Sequence, residues 1–199
     1  MSLAQSWEGG KGSLPREIAE LLATGHDPAL VSPELLLAIP EYQVELPGGS
    51  RPTQTDLFAL VRGEGGLVAC ALEGKVDEQF GPTIEAKRRD GAAERLRYLH
   101  DLLRIDPATS AQLRYQLFHR TAAAILLAER FGASVAVLII HSFSPSHRWY
   151  EDYEAFAAAL GATSERGQLG AVGERGGVQV FLGWASGDQR YREDLSTAV

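Results

Sequence analysis

Two acidic residues and a lysine in one predicted hairpin are of the types that bind a divalent cation. Asp56 precedes the apolar run LFALV, and Glu73 and Lys75 end the run ACALEGK. Mg²⁺ prefers oxygen ligands from one or two carboxylates, with water or phosphate in the remaining positions. A neighbouring lysine supplies positive charge where negative charge develops during hydrolysis. The sequence therefore predicts a site for Mg²⁺ or Mn²⁺ held by Asp56 and Glu73.

The register of this hairpin decides whether the three side chains share one face of the sheet. A glycine-rich loop of four residues places Arg62 opposite Leu67. The same register, continued along the ladder, places Asp56 opposite Glu73. Directly opposed residues share a face, and Lys75 lies on that face too because side chains alternate along a strand. Two opposed carboxylates repel each other unless a cation lies between them, which favours a metal ion.

A purely structural arrangement of the same residues is the alternative. Asp56 and Lys75 would then form a cross-strand ion pair at the edge of the sheet, with Glu73 solvated. A slip of one residue would move Asp56 to the opposite face from Glu73. The sequence alone leaves both arrangements open.

The elements that must position these residues follow one another along the first half of the chain. Residues 1–14 are predicted to be a loose N-terminal segment, and a single domain is expected over residues 15–199. Pro15 opens a first helix, and a second short helix is expected near residues 32–38. Three runs of strand formers, separated by glycine and proline, predict an antiparallel meander: YQVELPGG, TQTDLFALV and GLVACALEG.

The second half of the chain predicts further helices and two strands. Residues 83–105 have a charged helical pattern interrupted at Gly91, and a long helix then ends at Gly132. The run SVAVLII predicts a strand buried in the middle of a sheet, and a C-terminal helix and strand are expected within residues 150–184. This order predicts a mixed central sheet with an antiparallel hairpin, flanked by helices, in the α/β or α+β class.

The order of these elements and the positions of the acids resemble the PD-(D/E)XK nuclease-like superfamily, also called restriction endonuclease-like. The shared pattern is a helix, a hairpin with Asp in one strand and Glu-x-Lys in the next, and then a helix and a further strand. Asp56 and Glu73 lie 17 positions apart, and Lys75 completes Glu-x-Lys. The resemblance covers about residues 15–141. Within the superfamily, the chain resembles an uncharacterised bacterial domain family. One departure is Thr55, where the motif has proline.

The resemblance implies a function for the predicted metal site. Members of the superfamily use the Asp and the Glu as Mg²⁺ ligands, and the Lys assists the attack of water on a phosphodiester. These roles are implied here for Asp56, Glu73 and Lys75 in turn. The resemblance therefore implies a restriction endonuclease-like fold and a metal-dependent phosphodiester hydrolase.

The resemblance also implies three further site residues. Some relatives place a Gln or Arg from the helix after the hairpin near the scissile phosphate, which implies such roles for Gln116 and Arg120. These two residues are four positions apart and share a helix face, so an ordinary solvent-facing stripe is the alternative. Glu20, on the first helix, is implied as an additional metal ligand, as in parts of the superfamily. An ordinary surface glutamate is the alternative for that residue.

The charge distribution bears on the substrate. The formal net charge of −7 argues against the uniformly basic surface of a duplex-DNA binder. Residues 84–120 nevertheless carry eight Lys or Arg and five acids, so this segment is +3 and the rest of the chain −10. A local basic face that binds nucleic acid is therefore one interpretation of the segment, and a solvated helix surface is the other.

Composition also bounds the class of protein. The single cysteine, Cys70, excludes a disulfide within the chain and a thiolate metal site, and favours a reducing compartment. No leader or membrane span is predicted, so a cytoplasmic location is expected. The C-terminal helix and strand leave a homodimer open.

Three functions remain open on the sequence. The first is a metal-dependent phosphodiester hydrolase acting on nucleic acid, with the roles given above. The second is a catalytically inactive module that keeps the nuclease fold and binds an unknown partner. The third is a hydrolase of a small phosphorylated metabolite, which suits the acidic net charge.

Overall fold

A mixed sheet of six strands organises the chain in the computed structural model, which describes residues 2–192. The strands are β1 (Glu34–Pro40), β2 (Gln43–Val44), β3 (Thr53–Gln54), β4 (Leu57–Gly63), β5 (Gly66–Lys75), β6 (Val135–Ser142), β7 (Leu169–Arg175) and β8 (Val178–Ser186). The helices are α1 (Ser2–Gly9), α2 (Arg16–Leu22), α3 (Ile84–Arg89), α4 (Ala93–Leu103), α5 (Tyr115–Phe131) and α6 (Tyr150–Ala159), with 3₁₀ turns at Pro28–Leu30 and Gln189–Arg192. The main sheet has the order β1-β4-β5-β6-β8-β7, and β2 pairs with β3 separately. The predicted fold class is confirmed.

The β4–β5 hairpin has the register that its glycines predict. Arg62 pairs with Leu67, and the antiparallel ladder continues by one more pair, Gly63 with Gly66. Gly66 has a φ of 133°, a conformation that would strain any residue with a side chain. The turn is therefore one pair tighter than the predicted loop, and the register that leads back to Asp56 is unchanged.

The centre of the sheet is parallel, and this brings three strand ends to one edge. β5 pairs with β6 and β6 with β8, all in parallel, so their carboxyl ends lie side by side. Lys75 pairs with Ser142 at this edge, and Ser142 with Ser186. Every residue of β6 is buried, which confirms the interpretation of SVAVLII as a central strand.

Side chains alternate between two apolar cores, one on each face of the sheet. In β5, Ala69 and Ala71 join the core beneath α5, whereas Cys70 and Leu72 join the core beneath α1 and α2. The buried alanines of α5 let that helix lie close to β5 and β6 because they carry only one methyl group each. Glu73 and Lys75 follow Ala71 in the same alternation, so both face α5.

Three predictions for the N-terminal part are wrong. The segment 1–14, predicted to be loose, contains helix α1, whose Trp7 is buried against the core beneath α2. The helix predicted near residues 32–38 is instead strand β1, which pairs with β4. β1 also takes the place in the meander that YQVELPGG was predicted to fill, because only two residues of that run form a strand. Pairing with β4 has overridden the local helix preference of the leucines.

The C-terminal part confirms two predicted elements and adds one. Helix α6 and strand β8 lie where they were expected. Strand β7, which the sequence pattern missed, forms a hairpin with β8 through Gly176 and Gly177, both with positive φ. Residues 193–199 of the predicted domain lie outside the described residues. Among the residues that are described, no helix combines the length and apolar composition needed to cross a membrane.

Candidate active site

Five predicted site residues lie together where the end of β5, the start of β4 and the start of α5 meet. Asp56 precedes β4, and Glu73 and Lys75 end β5. Gln116 and Arg120 lie one turn apart at the start of α5, on the side that packs against β5. Hydrogen bonds and ion pairs join all five, and they are called the acidic cluster below.

Glu73 lies at the centre of the acidic cluster. Its side chain is only 4% exposed, so its charge needs partners within the protein. Oε1 accepts hydrogen bonds from Lys75 Nζ at 3.0 Å and from Gln116 Nε2, and Oε2 accepts one from Arg120 Nε at 2.6 Å. The sequence-based alternative, with Glu73 solvated and Lys75 paired to Asp56, is therefore wrong.

Asp56 is the less compensated of the two carboxylates. Its Oδ2 accepts a hydrogen bond from the Gly74 backbone N–H at 2.9 Å, whereas Oδ1 lies 3.9 Å from Arg120 Nη2. Burial and the negative charge of Glu73 raise the pKa of Asp56 to about 6, although Gly74, Arg120 and Lys75 act in the opposite direction. The side chain is 38% exposed. Asp56 therefore offers an accessible oxygen near the negative charge of Glu73, which suits the binding of a cation.

Lys75 is held on three sides at the end of β5. Besides Glu73, its Nζ donates to Gln116 Oε1 at 3.3 Å and lies 5.0 Å from the centre of the Phe80 ring. The same Gln116 oxygen accepts from the Gly81 N–H at 3.3 Å, which ties the loop after β5 to α5. These contacts fix the ammonium group beside Glu73 on a side chain that is buried.

Arg120 supplies a cation between the two carboxylates. Its Nε bonds Glu73, its Nη2 faces Asp56, and its Nη1 donates to Thr53 Oγ1 at 2.8 Å. Thr53 Oγ1 is also 2.6 Å from His119 Nδ1. Burial, together with the positive charge of Arg120 and two more distant cations, lowers the pKa of His119 well below its usual value, so the ring is neutral. Arg120 Nη1, which can only donate, also lies 3.3 Å from His119 Nδ1, so Nδ1 is an acceptor and the Thr53 hydroxyl donates to it.

An open cleft of about 310 Å³ gives access to the acidic cluster. Asp56 and Lys75 line it together with Gln54, Glu41, Glu78 and the first residues of α1. The helix at the N-terminus, which the sequence pattern missed, thus forms one wall. A substrate group in this cleft would contact the Asp56 carboxylate directly.

The donor set fits a divalent cation that is held by few protein ligands. Asp56 has an accessible oxygen, whereas both oxygens of Glu73 accept hydrogen bonds from Lys75, Gln116 and Arg120, so Glu73 would join an ion only if these donors made room. Within residues 2–192, no three or more His, Cys, Asp or Glu side chains are grouped so as to hold a metal ion. An ion here would therefore take one or two carboxylate ligands and complete its coordination with water or substrate, as Mg²⁺ commonly does.

Glu20 does not join the acidic cluster. It lies on the outer face of α2, is 61% exposed and pairs with Arg16 at 2.6 Å. Glu17 of the same helix points inward and accepts from His141 Nε2 at 2.9 Å. Helical spacing could have separated the two acids, because Glu17 lies four positions before the buried Leu21 whereas Glu20 lies four positions after the exposed Arg16.

Thr53 and His119 were not predicted as neighbours of the site. Thr53 carries no sequence signal, because a threonine in a short strand has many roles. His119 precedes Arg120 in α5, so it points to the adjacent side of the helix and only the β2–β3 segment brings Thr53 to it. These contacts depend on tertiary packing that local patterns do not encode.

Comparison with known families covers nearly the whole chain. The model of a family described as "Domain of unknown function (DUF6946)" matches residues 1–189. This span contains every residue of the acidic cluster and the cleft beside it. No curated protein and no solved structure matches the chain. The chemistry of the site is therefore the basis for a functional conclusion.

Proposed function

We propose that the chain, which belongs to this family of unknown function, is a metal-dependent phosphodiester hydrolase that acts on nucleic acid. The observation that carries the proposal is the convergence of Asp56, Glu73 and Lys75 beside an open cleft. The order of elements around them also supports it. A helix, an antiparallel meander, a helix and a parallel strand are the order expected from the resemblance to PD-(D/E)XK nucleases.

Each residue of the acidic cluster has a role in this proposal. A divalent cation held by Asp56 and Glu73 would polarise an attacking water and stabilise negative charge on a phosphoryl oxygen. Lys75 lines the cleft and holds positive charge where a phosphoryl oxygen would lie. Gln116 holds the Lys75 and Glu73 side chains beside each other through one hydrogen bond to each. Arg120 neutralises the carboxylates in the absence of metal.

A catalytically inactive binding module is the second candidate. The observation that favours it is the charge balance of the acidic cluster, in which two carboxylates face two cations. Such a cluster is stable without any metal ion. The two functions differ in one measurable property, because only the hydrolase requires the cluster to accept a divalent cation.

The test is the melting temperature during titration with Mg²⁺ and Mn²⁺. We expect both ions to stabilise the wild type, because a ligand that binds only the folded state raises its stability. Asp56→Asn removes the accessible carboxylate but keeps an acceptor for the Gly74 N–H, so it should fold and lose the response. Glu20→Gln is the matched control, since it removes an exposed carboxylate away from the cluster. No shift in the wild type would reject the metal site and favour the binding module.

Hydrolysis assays then separate metal binding from catalysis. Single- and double-stranded nucleic acid and a small phosphodiester are incubated with the wild type and with Lys75→Gln in the presence of Mn²⁺. We expect Lys75→Gln to keep the metal-dependent rise in melting temperature and to lose at least about a hundredfold in rate, as when one charge-stabilising group is removed. Cleavage of the small phosphodiester alone would overturn nucleic acid as the substrate. An unchanged rate in Lys75→Gln would refute the assigned role of the lysine.

A further inference from the structure

A second cleft is lined in part by Arg120, whose Nη1 bonds Thr53 of this cleft while Nε and Nη2 face the acidic cluster. It has a volume of about 260 Å³ and is called the basic cleft. The side chains that define its chemistry are Thr53, Lys87, Arg95, Tyr115, His119 and Arg120. Among the residues that the structure describes, no aspartate or glutamate lines it. The basic cleft therefore presents positive charge to any group that enters it.

The cations of the basic cleft are incompletely neutralised. Within residues 2–192, the carboxylate paired with Lys87 is Asp90 at 3.6 Å, on a surface where ion pairs contribute little stability. The Lys87 ammonium group also lies 5.6 Å from the centre of the Tyr115 ring. Arg95 donates through Nη2 to the Leu46 carbonyl at 3.0 Å, while its Nε is buried and has no hydrogen-bond partner within residues 2–192. A buried donor without an acceptor is costly unless a ligand satisfies it. Arg95 therefore favours an anionic ligand in this cleft.

His119 reports the same excess of positive charge. Its pKa is lowered first by burial and then by Arg120, Arg95 and Lys87, whose charges all disfavour a protonated ring. Since Nδ1 accepts from Thr53, the ring proton is on Nε2, where the neutral imidazole is a donor. The Tyr115 ring lies against it, with centroids 4.8 Å apart. The cleft thus combines ammonium, guanidinium and imidazole donors around one space.

We propose that the basic cleft binds a phosphate group that neighbours the scissile phosphate in a polynucleotide substrate. A phosphate group offers several acceptor oxygens, which suits a site built from arginine and lysine donors. Arg120 forms a wall of the basic cleft and bonds Glu73 of the acidic cluster, so two phosphates of one strand would lie on its two sides. The choice of a polynucleotide rests on the proposed function. A free phosphate or a mononucleotide has the same chemistry and is distinguished by the test below.

The test measures binding of a fluorescently labelled single-stranded oligonucleotide by anisotropy, in EDTA, where no metal-dependent cleavage occurs. Lys87→Gln and Arg95→Gln remove one cation each from the basic cleft. The matched controls are Arg89→Gln and Arg97→Gln, which alter exposed cations outside the basic cleft on the same two helices. We expect about tenfold weaker binding for each cleft variant. The slope of log affinity against log salt should fall in magnitude by about 0.7 for each lost phosphate contact.

Inorganic phosphate and AMP are the competing probes, and the His119 ring is followed by NMR. A bound phosphate should move the pKa of His119 upward in the wild type, and Lys87→Gln should need about tenfold more phosphate for the same change. The ring signal of His119 also shows whether the variant is folded. Equal losses in the cleft and control variants would overturn the inference. An oligonucleotide that binds no more tightly than AMP would overturn its polynucleotide part.

The inference and the proposed function can fail separately. Loss of oligonucleotide affinity in the cleft variants, with no metal response and no hydrolysis in the wild type, would support the phosphate site and refute the hydrolase. Hydrolysis by the wild type, with cleft variants that match their controls, would support the hydrolase and refute the phosphate site.

Discussion

Replacing Asp56 with asparagine is expected to stabilise the metal-free protein at alkaline pH, although it removes a residue of the candidate site. The carboxylate is held in a place that disfavours its charge, since burial and Glu73 raise its pKa. Asparagine keeps the size of the side chain and an oxygen that accepts from the Gly74 N–H. The substitution therefore removes the charge and little else.

The magnitude and the pH window follow from the shift of this one pKa. It rises from 3.8 to about 6, so the folded state binds the proton more tightly than the unfolded chain. Well below pH 3.8 both states are protonated and the two proteins should be equally stable on this account. As the pH rises through 6, the Asp56 carboxyl of the folded wild type ionises, and the full cost of its buried charge lowers the free energy of unfolding. A shift of this size corresponds to about 3 kcal/mol, which solvent screening reduces to on the order of 1 to 2 kcal/mol because the side chain is 38% exposed.

Urea unfolding at pH 8 and at pH 4.5, in EDTA, measures this difference. We expect Asp56→Asn to exceed the wild type in unfolding free energy at pH 8 and the gap to shrink strongly at pH 4.5. Glu20→Gln, the exposed control, should differ from the wild type by less than about 0.5 kcal/mol at both values. A difference that is absent at pH 8, or equal at both pH values, would refute the description of Asp56 as a destabilised carboxylate. The ionised carboxylate of Asp56 should also make Mg²⁺ bind more tightly at pH 8 than at pH 5, where most of the group is protonated.

Two further substitutions test the charge balance of the acidic cluster. Glu73→Gln should destabilise the protein by about 3 to 5 kcal/mol, because it leaves buried Lys75 and Arg120 without their carboxylate, and urea unfolding measures this loss. A loss below about 1 kcal/mol would mean that water already solvates the pair. Arg120→Gln should lower stability without metal and increase the gain in melting temperature on addition of Mn²⁺, since it removes the cation between the carboxylates. A smaller gain than in the wild type would contradict the arrangement described for Arg120.

The hairpin and the placement of its three candidate residues on one face could be predicted because they depend on local rules. Glycines fix the turn, the turn fixes the register, and strict alternation then carries Asp56, Glu73 and Lys75 to one face. The pairing of Gln116 and Arg120 on one side of α5 follows in the same way from helical spacing. These relations involve residues that are close along the chain or joined by one ladder.

The errors arose where packing between distant segments decides the structure. The leucines of β1 locally prefer a helix, and only pairing with β4 makes this segment a strand. Trp7 gives α1 its docking site, yet a lone tryptophan in a polar segment carries no helical pattern. Thr53 reaches Arg120 across 67 positions of sequence. Sequence spacing predicted that the opposed acids need a cation but could not identify Arg120 as one that the chain itself provides.

The position of Arg120 means that an ion could bind at the acidic cluster only by displacing the guanidinium group from the two carboxylates. Its guanidinium group is tethered to α5 and already bonds Glu73 while facing Asp56, so it competes with an incoming ion at a permanently high local concentration. The apparent affinity for a metal ion is then the intrinsic affinity multiplied by the fraction of molecules in which Arg120 has moved away. A ligand that draws Arg120 toward the basic cleft would raise that fraction. The same arginine pairs with both carboxylates of the metal-free protein and would oppose the binding of a metal ion there.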